Sequence, residues 1–175
     1  MTNIAVFVGS LRADSINKQY AQKLEALLPE GVTFTYANLD VPLYNQDSEA
    51  DYPASAQALK DVTEQADGVL FLTPEYNRGY PGVLKNAIDW ASRPWGTNSF
   101  DGKPAAIAGV AGQLGTTQAQ QQLRNVLLHL NTKLLGQPEM YINARASLNE
   151  AGELTEDATS YAQDFVTAFL KHVGA

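Results

Sequence analysis

The chain contains no cysteine. That absence removes structural disulfides, thiolate nucleophiles, thiolate-held iron–sulfur clusters and cysteine zinc sites together. Histidine is nearly as scarce: His129 lies between two leucines and His172 lies near the carboxyl end. Neither has a partner at a catalytic or metal-ligand spacing, so both read as structural and no metal site is expected. Cations are outnumbered, with 12 Lys and Arg against 19 Asp and Glu and a formal charge of -7. A nucleic-acid footprint needs clustered Lys and Arg, which this balance argues against. No apolar run approaches the roughly eighteen residues of a membrane span, and the opening MTNIAVFVGSLR lacks a basic leader followed by a cleavable apolar stretch. The expectation is a soluble cytoplasmic protein, with no membrane or nucleic-acid partner, in which any redox chemistry would have to be borrowed.

What is present reads as alternating strands and helices. The 175 residues, 45% hydrophobic and 18% charged, suit one compact domain over residues 1–175. Strand-like apolar runs occur at residues 3–8, 32–37, 68–73, 104–111 and 138–142, each followed by helical periodicity. The first, third and fourth are continuously apolar, as strands covered on both faces should be. The second alternates and the fifth is short and mixed, so both belong at sheet edges. A parallel five-stranded sheet in order 2-1-3-4-5, sandwiched between helices in three layers, satisfies all of them. This is the flavodoxin-like arrangement, which opens a crevice where the strand order reverses between the first and third strands. Helical stripes run through Ile16, Tyr20, Leu24, Leu27 and Leu28, and through Ala56, Leu59, Val62 and Ala66. Others run through Leu84, Ala87, Ile88 and Ala91, through Leu123, Val126, Leu127 and Leu130, and through Tyr161, Phe165, Phe169 and Val173.

Two loops at that crevice carry the candidate chemistry. After the first strand, Gly9 to Asn17 gathers Ser10, Arg12, Ser15 and Asn17 into the turn that opens a helix. A phosphate there would meet side-chain donors, unpaired helix N–H groups and the positive end of the helix dipole, with Arg12 able to grip it bidentately. A plainer reading makes Ser15 a helix cap and Arg12 a solvated charge; the loop's place beside the order reversal favours the phosphate. Neither G-x-G-x-x-G nor G-x-x-x-x-G-K-[ST] occurs in this loop, so a monophosphate fits better than a dinucleotide or triphosphate. After the third strand, Thr73 to Trp90 places two prolines and two glycines around a turn able to present backbone to a flat ring.

Read together, S-x-R-x-x-S-x-N at Ser10 to Asn17, P-L-Y-N-Q-D at Pro42 to Asp47, and P-E-Y-N followed by Y-P-G-V-L-K-N-A-I-D-W up to Trp90 resemble the NADPH-dependent FMN reductase family. That family includes quinone, chromate and azo-dye reductases. The resemblance implies that Ser10, Arg12, Ser15 and Asn17, with the backbone around Ile16, hold the FMN phosphate. It implies that Pro74, Glu75, Tyr76 and Asn77 hold the isoalloxazine, offering backbone N–H groups to the edge where charge accumulates on reduction. Gly112 is carried over from the loop Gly109 to Thr117, although Val110, Ala111 and Thr116 depart from the serine- and glycine-rich family pattern.

The implied activity is ping-pong transfer of hydride from NADPH or NADH through FMN to a small acceptor such as a quinone, azo compound, chromate or flavin. The cofactor carries the chemistry, so no catalytic side chain is assigned. Two other functions share the fold: a flavodoxin-type electron carrier without its own nicotinamide oxidation, and a binding protein without the cofactor. Arg78 is open between a role toward the extra phosphate of NADPH and a surface or subunit-contact role. The family also implies a homodimer or homotetramer formed through the helices after strands three and four. Trp90, Trp95 and Phe100 lie in that region, as interface or as intrachain packing.

Overall fold

In the computed structural model, which describes Met1 to Ala175, four parallel strands form the body of the sheet: β1 (Thr2–Val8), β2 (Val32–Tyr36), β3 (Gly68–Leu72) and β4 (Pro104–Ala111). Their order is β2-β1-β3-β4. The fifth place is shared by two short strands, β5 (Lys133–Leu134) and β6 (Met140–Asn143), each parallel to β4. The sheet thus has the expected 2-1-3-4-5 order, with its last strand in two pieces. The run expected over 138–142 becomes strand only at Met140, because Pro138 cannot donate to the ladder and Gly136 loosens the backbone before it.

Alternation along the central strands divides the apolar residues between two layers. Ala5, Phe7, Val69, Phe71 and Ile107 meet α2 (Ala54–Gln65), α3 (Gly82–Ala91) and α4 (Thr117–His129) on one face. Ile4, Val6, Leu70, Leu72 and Ala108 meet α1 (Ile16–Glu25) and α6 (Glu156–Val173) on the other. A single turn, α5 (Ala144–Ser147), follows β6. Each fully buried Leu or Phe contributes about 1.5–3 kcal/mol, so these two layers hold the helices in place far more than helix propensity does. Every residue of β3 is buried, whereas β2 has none that is, as interior and edge positions require.

Helix ends follow local chemistry. Regular helix stops at Glu25, earlier than the stripe suggests, and Leu27 and Leu28 close tighter turns by donating to the Leu24 and Glu25 carbonyls at 3.1 Å. Pro29 then prevents continuation. Of the three aromatics open between interface and interior, two are interior. Trp90 is fully buried between Tyr44 and Tyr52, with ring centroids 5.1 and 4.9 Å away, and Phe100 is fully buried against Phe7 and Phe71. Trp95 is 82% exposed, with the Arg93 guanidinium 5.6 Å from its ring centre.

Candidate cofactor cleft

Strand register brings three loops to one edge. Val8 pairs with Leu72 and Leu72 with Ala108, and the Gly9 and Thr73 N–H groups continue the ladder to Leu72 and Ala108 at 2.8 and 3.0 Å. The chains leaving β1, β3 and β4 therefore rise side by side where the strand order reverses, the usual ligand position in such sheets. Gly109 permits this closeness, since a methyl group there would overlap the Thr73 carbonyl and the Thr116 side chain.

The first loop has donors without acceptors. No group in the chain accepts from the main-chain N–H of Leu11, Ala13, Asp14, Ser15, Ile16 or Asn17. Arg12 is exposed and makes no ion pair, and Asp14 brings the one opposing charge in this loop. Ser15 does cap α1, its Oγ accepting from Lys18 N at 3.4 Å, while Ser10 Oγ accepts from Arg12 N at 3.3 Å. Asn17 is turned inward. Its side chain is 99% hidden from solvent and bonded twice to the Val110 backbone, donating at 2.9 Å and accepting at 2.8 Å. Its amide is therefore engaged, and what it still offers an anion is its main-chain N–H.

The second loop is a tight hairpin. Tyr76 and Gly79 exchange N–H···O bonds at 2.9 Å, with Asn77 and Arg78 at φ of 51° and 67° between them. The Tyr76 N–H, expected among the donors to a flat ring, is thereby engaged; those of Glu75, Asn77 and Arg78 have no acceptor in the chain. Tyr76 itself is 56% exposed beside them. Arg78 is not a free cation, since its guanidinium reaches Glu75 at 2.9 Å. Past the hairpin, burial raises the Tyr80 phenol above its ordinary range, and the charge of Asp89 adds to the effect.

The third loop holds Gly112, whose carbonyl accepts from Gly115 N at 3.0 Å; a methyl group on Gly112 would meet open space, so packing does not demand glycine there. Two further residues join the loops, and sequence reading missed both roles. The Glu75 carboxylate, its side chain 6% exposed, accepts from Gln118 N at 3.0 Å and Ala119 N at 3.2 Å at the start of α4. Gln122 donates to the Arg78 carbonyl at 2.8 Å. Only the Glu75 and Arg78 spacing carried a local signal. The P-L-Y-N stretch is likewise fastened by the K-N-A-I-D-W stretch: Asn86 accepts from Tyr44 N at 2.8 Å and donates to Pro42 O at 2.9 Å, and Trp90 Nε1 donates to Pro42 O at 2.7 Å.

Elsewhere, a groove of about 960 Å³ opens between α3, α4 and the segment 92–103, lined by Arg93, Trp95, Asp101 and His129 among others. Beneath it Lys60 donates to Thr97 O at 2.6 Å and Ser99 Oγ at 2.9 Å, and burial lowers its pKa against the opposing pull of Glu64. His172 meets the Lys133 carbonyl at 2.7 Å and His129 lies exposed at the end of α4. Neither histidine reaches the cleft.

Comparison with known proteins bears on the family and the fold. Residues 2–146 match the profile of the NADPH-dependent FMN reductase family. A 2-hydroxy-1,4-benzoquinone reductase from a Burkholderia species is 48% identical over 97% of this chain and 95% of its own length. A Pseudomonas putida quinone reductase is 40% identical over 98% and 94%. Among solved structures, the flavoenzyme NAD(P)H:(acceptor) oxidoreductase FerB from Paracoccus denitrificans superposes with a TM-score of 0.92 at 44% identity, covering 99% of this chain and 98% of its own.

Proposed function

Because the chain belongs to the NADPH-dependent FMN reductase family, we propose that the three-loop cleft binds FMN and that the protein is an NAD(P)H-dependent oxidoreductase of quinones and similar small acceptors. The observation that carries the assignment is the first loop, where a run of free main-chain N–H groups ends in the amino end of α1 with the unpaired Arg12 beside it. Such a nest suits a phosphate monoester in both charge and hydrogen bonding. The free N–H groups of Glu75, Asn77 and Arg78 suit the polar edge of a flat ring.

When bound, FMN would supply the two-electron chemistry, taking hydride from NADPH or NADH and passing it to the acceptor. The chain's part is to bind and orient. Ser15 and Ser10 order the first loop; Asn17 ties it to β4; Glu75 and Gln122 hold the hairpin to α4. Gly112 lies at the same edge in the third loop. The reductase reading is favoured over the electron carrier, since the relatives are named as reductases of quinones. We further propose a single FMN-binding domain over residues 1–175, a cytoplasmic location, and a homodimer or homotetramer. Of Trp90, Trp95 and Phe100, the exposed Trp95 is the one available to such an interface. No helix is long and apolar enough to cross a membrane.

The test is anaerobic. Protein loaded with FMN should lose its flavin absorbance rapidly on addition of NADPH or NADH and regain it when 1,4-benzoquinone is added. Bleaching by dithionite alone would return the assignment to an electron carrier, and failure to retain FMN would overturn it.

A further inference from the structure

An arginine in the left-handed region is unusual, because its Cβ crowds the following carbonyl at a cost of about 1–2 kcal/mol. Such a conformation persists only where its surroundings hold it. Arg78 at φ 67° is held at both ends, its guanidinium by Glu75 at 2.9 Å and its carbonyl by Gln122 at 2.8 Å. Glu75 does more than pair with it. Thr116, at the head of α4, makes no side-chain capping bond, and the Glu75 carboxylate caps the helix instead through Gln118 N and Ala119 N. A largely buried negative charge thus stands between a guanidinium and a helix amino end worth roughly half a positive charge. All three lie at the turn whose Asn77 and Arg78 N–H groups are free.

Resting on the assignment of this cleft to FMN, we infer that Glu75 is a positioning residue that sets the charge as well as the shape of the flavin turn. By neutralising Arg78 and the start of α4, its carboxylate keeps the reduction potential of the bound flavin low. The physical reason is direct. A ring that gains negative charge on reduction is favoured in its reduced form by nearby positive charge, and the Glu75 carboxylate, its side chain 6% exposed, offsets that charge beside an Arg78 side chain that is 65% exposed.

The experiment measures the midpoint potential of FMN-loaded protein against a reference dye for wild type, Glu75→Gln, Arg78→Asn and the double variant, together with the Kd of oxidised FMN. Glutamine can still accept from the α4 N–H groups, and asparagine tolerates a positive φ. Both single variants should therefore keep the fold. Glu75→Gln should change the Kd of oxidised FMN by less than about threefold. It should favour reduced over oxidised flavin by about tenfold, an upward shift of about 30 mV for a two-electron couple. Arg78→Asn should shift the potential downward, and the double variant should return toward wild type. Shifts of the same sign in both single variants, or none in either, would overturn the inference. If Glu75→Gln does not fold, Arg78→Asn decides alone, an unchanged potential counting against. A wild-type protein that takes up no FMN would overturn the cleft assignment first, and this inference with it.

Discussion

Arg12, in the first loop, and Asn17, in the opening turn of α1, stand five positions apart and have opposite fates. The guanidinium is exposed and makes no ion pair, whereas the amide is buried on Val110. A charge-assisted hydrogen bond contributes about 1.5–3 kcal/mol, so Arg12→Ala should weaken FMN binding by roughly 10- to 150-fold. A fluorescence titration of apoprotein with FMN measures this, and an unchanged Kd would remove Arg12 from the site. Stability of the apoprotein should hardly move, because the side chain is exposed and makes no ion pair with the rest of the fold. Sequence reading placed both residues near the phosphate. It could not tell them apart, since the partner of Asn17 lies on a strand far along the chain, and no local spacing encodes that distance.

At the scale of elements, the same amide becomes a strut between α1 and β4. Asn17→Ala would leave the Val110 N–H and carbonyl buried without partners, and an unsatisfied buried group costs about 1–3 kcal/mol. Urea denaturation of the apoprotein should show a loss of that order, and FMN affinity should fall as well, since the first loop loses its anchor. A variant as stable as wild type would show that the pair of bonds is not holding the helix start. The helix and strand runs were legible because burial on one or two faces writes a period into the sequence. The divided fifth strand was not, because Lys133 and Leu134 are too short a run to stand out. Their pairing comes from β4 being available beside them.

The whole molecule should respond to alkali through its tyrosines. Burial raises Tyr20 and Tyr36 well above their ordinary range, and pushes Tyr52 up to about 12, helped by the charges of Glu49, Tyr44 and Glu64. Unfolded, these phenols ionise near 10.0; folded, they keep their protons longer. The folded state therefore binds more protons above that pH, and stability present below it is lost as pH climbs toward 12. Lys60 and Lys103 act in the opposite sense, since burial lowers both from 10.5 and their ionic cost fades as pH rises toward that value. The melting midpoint should thus hold up to about pH 10 and fall beyond it. A midpoint still level at pH 12 would show that these phenols are not shielded.

The sequence by itself determined the layered sheet, its order reversal and the two loops that flank it, because periodicity, turn residues and motif spacing are local properties that survive without coordinates. Only the tertiary structure decided which donors remain free. Hydrogen bonds between distant segments turned Asn17 inward and engaged the Tyr76 N–H, and they set the Glu75 carboxylate on α4. Each polar group has few bonds to give, and whether they go to the fold or to a ligand depends on what folding brings within about 3 Å.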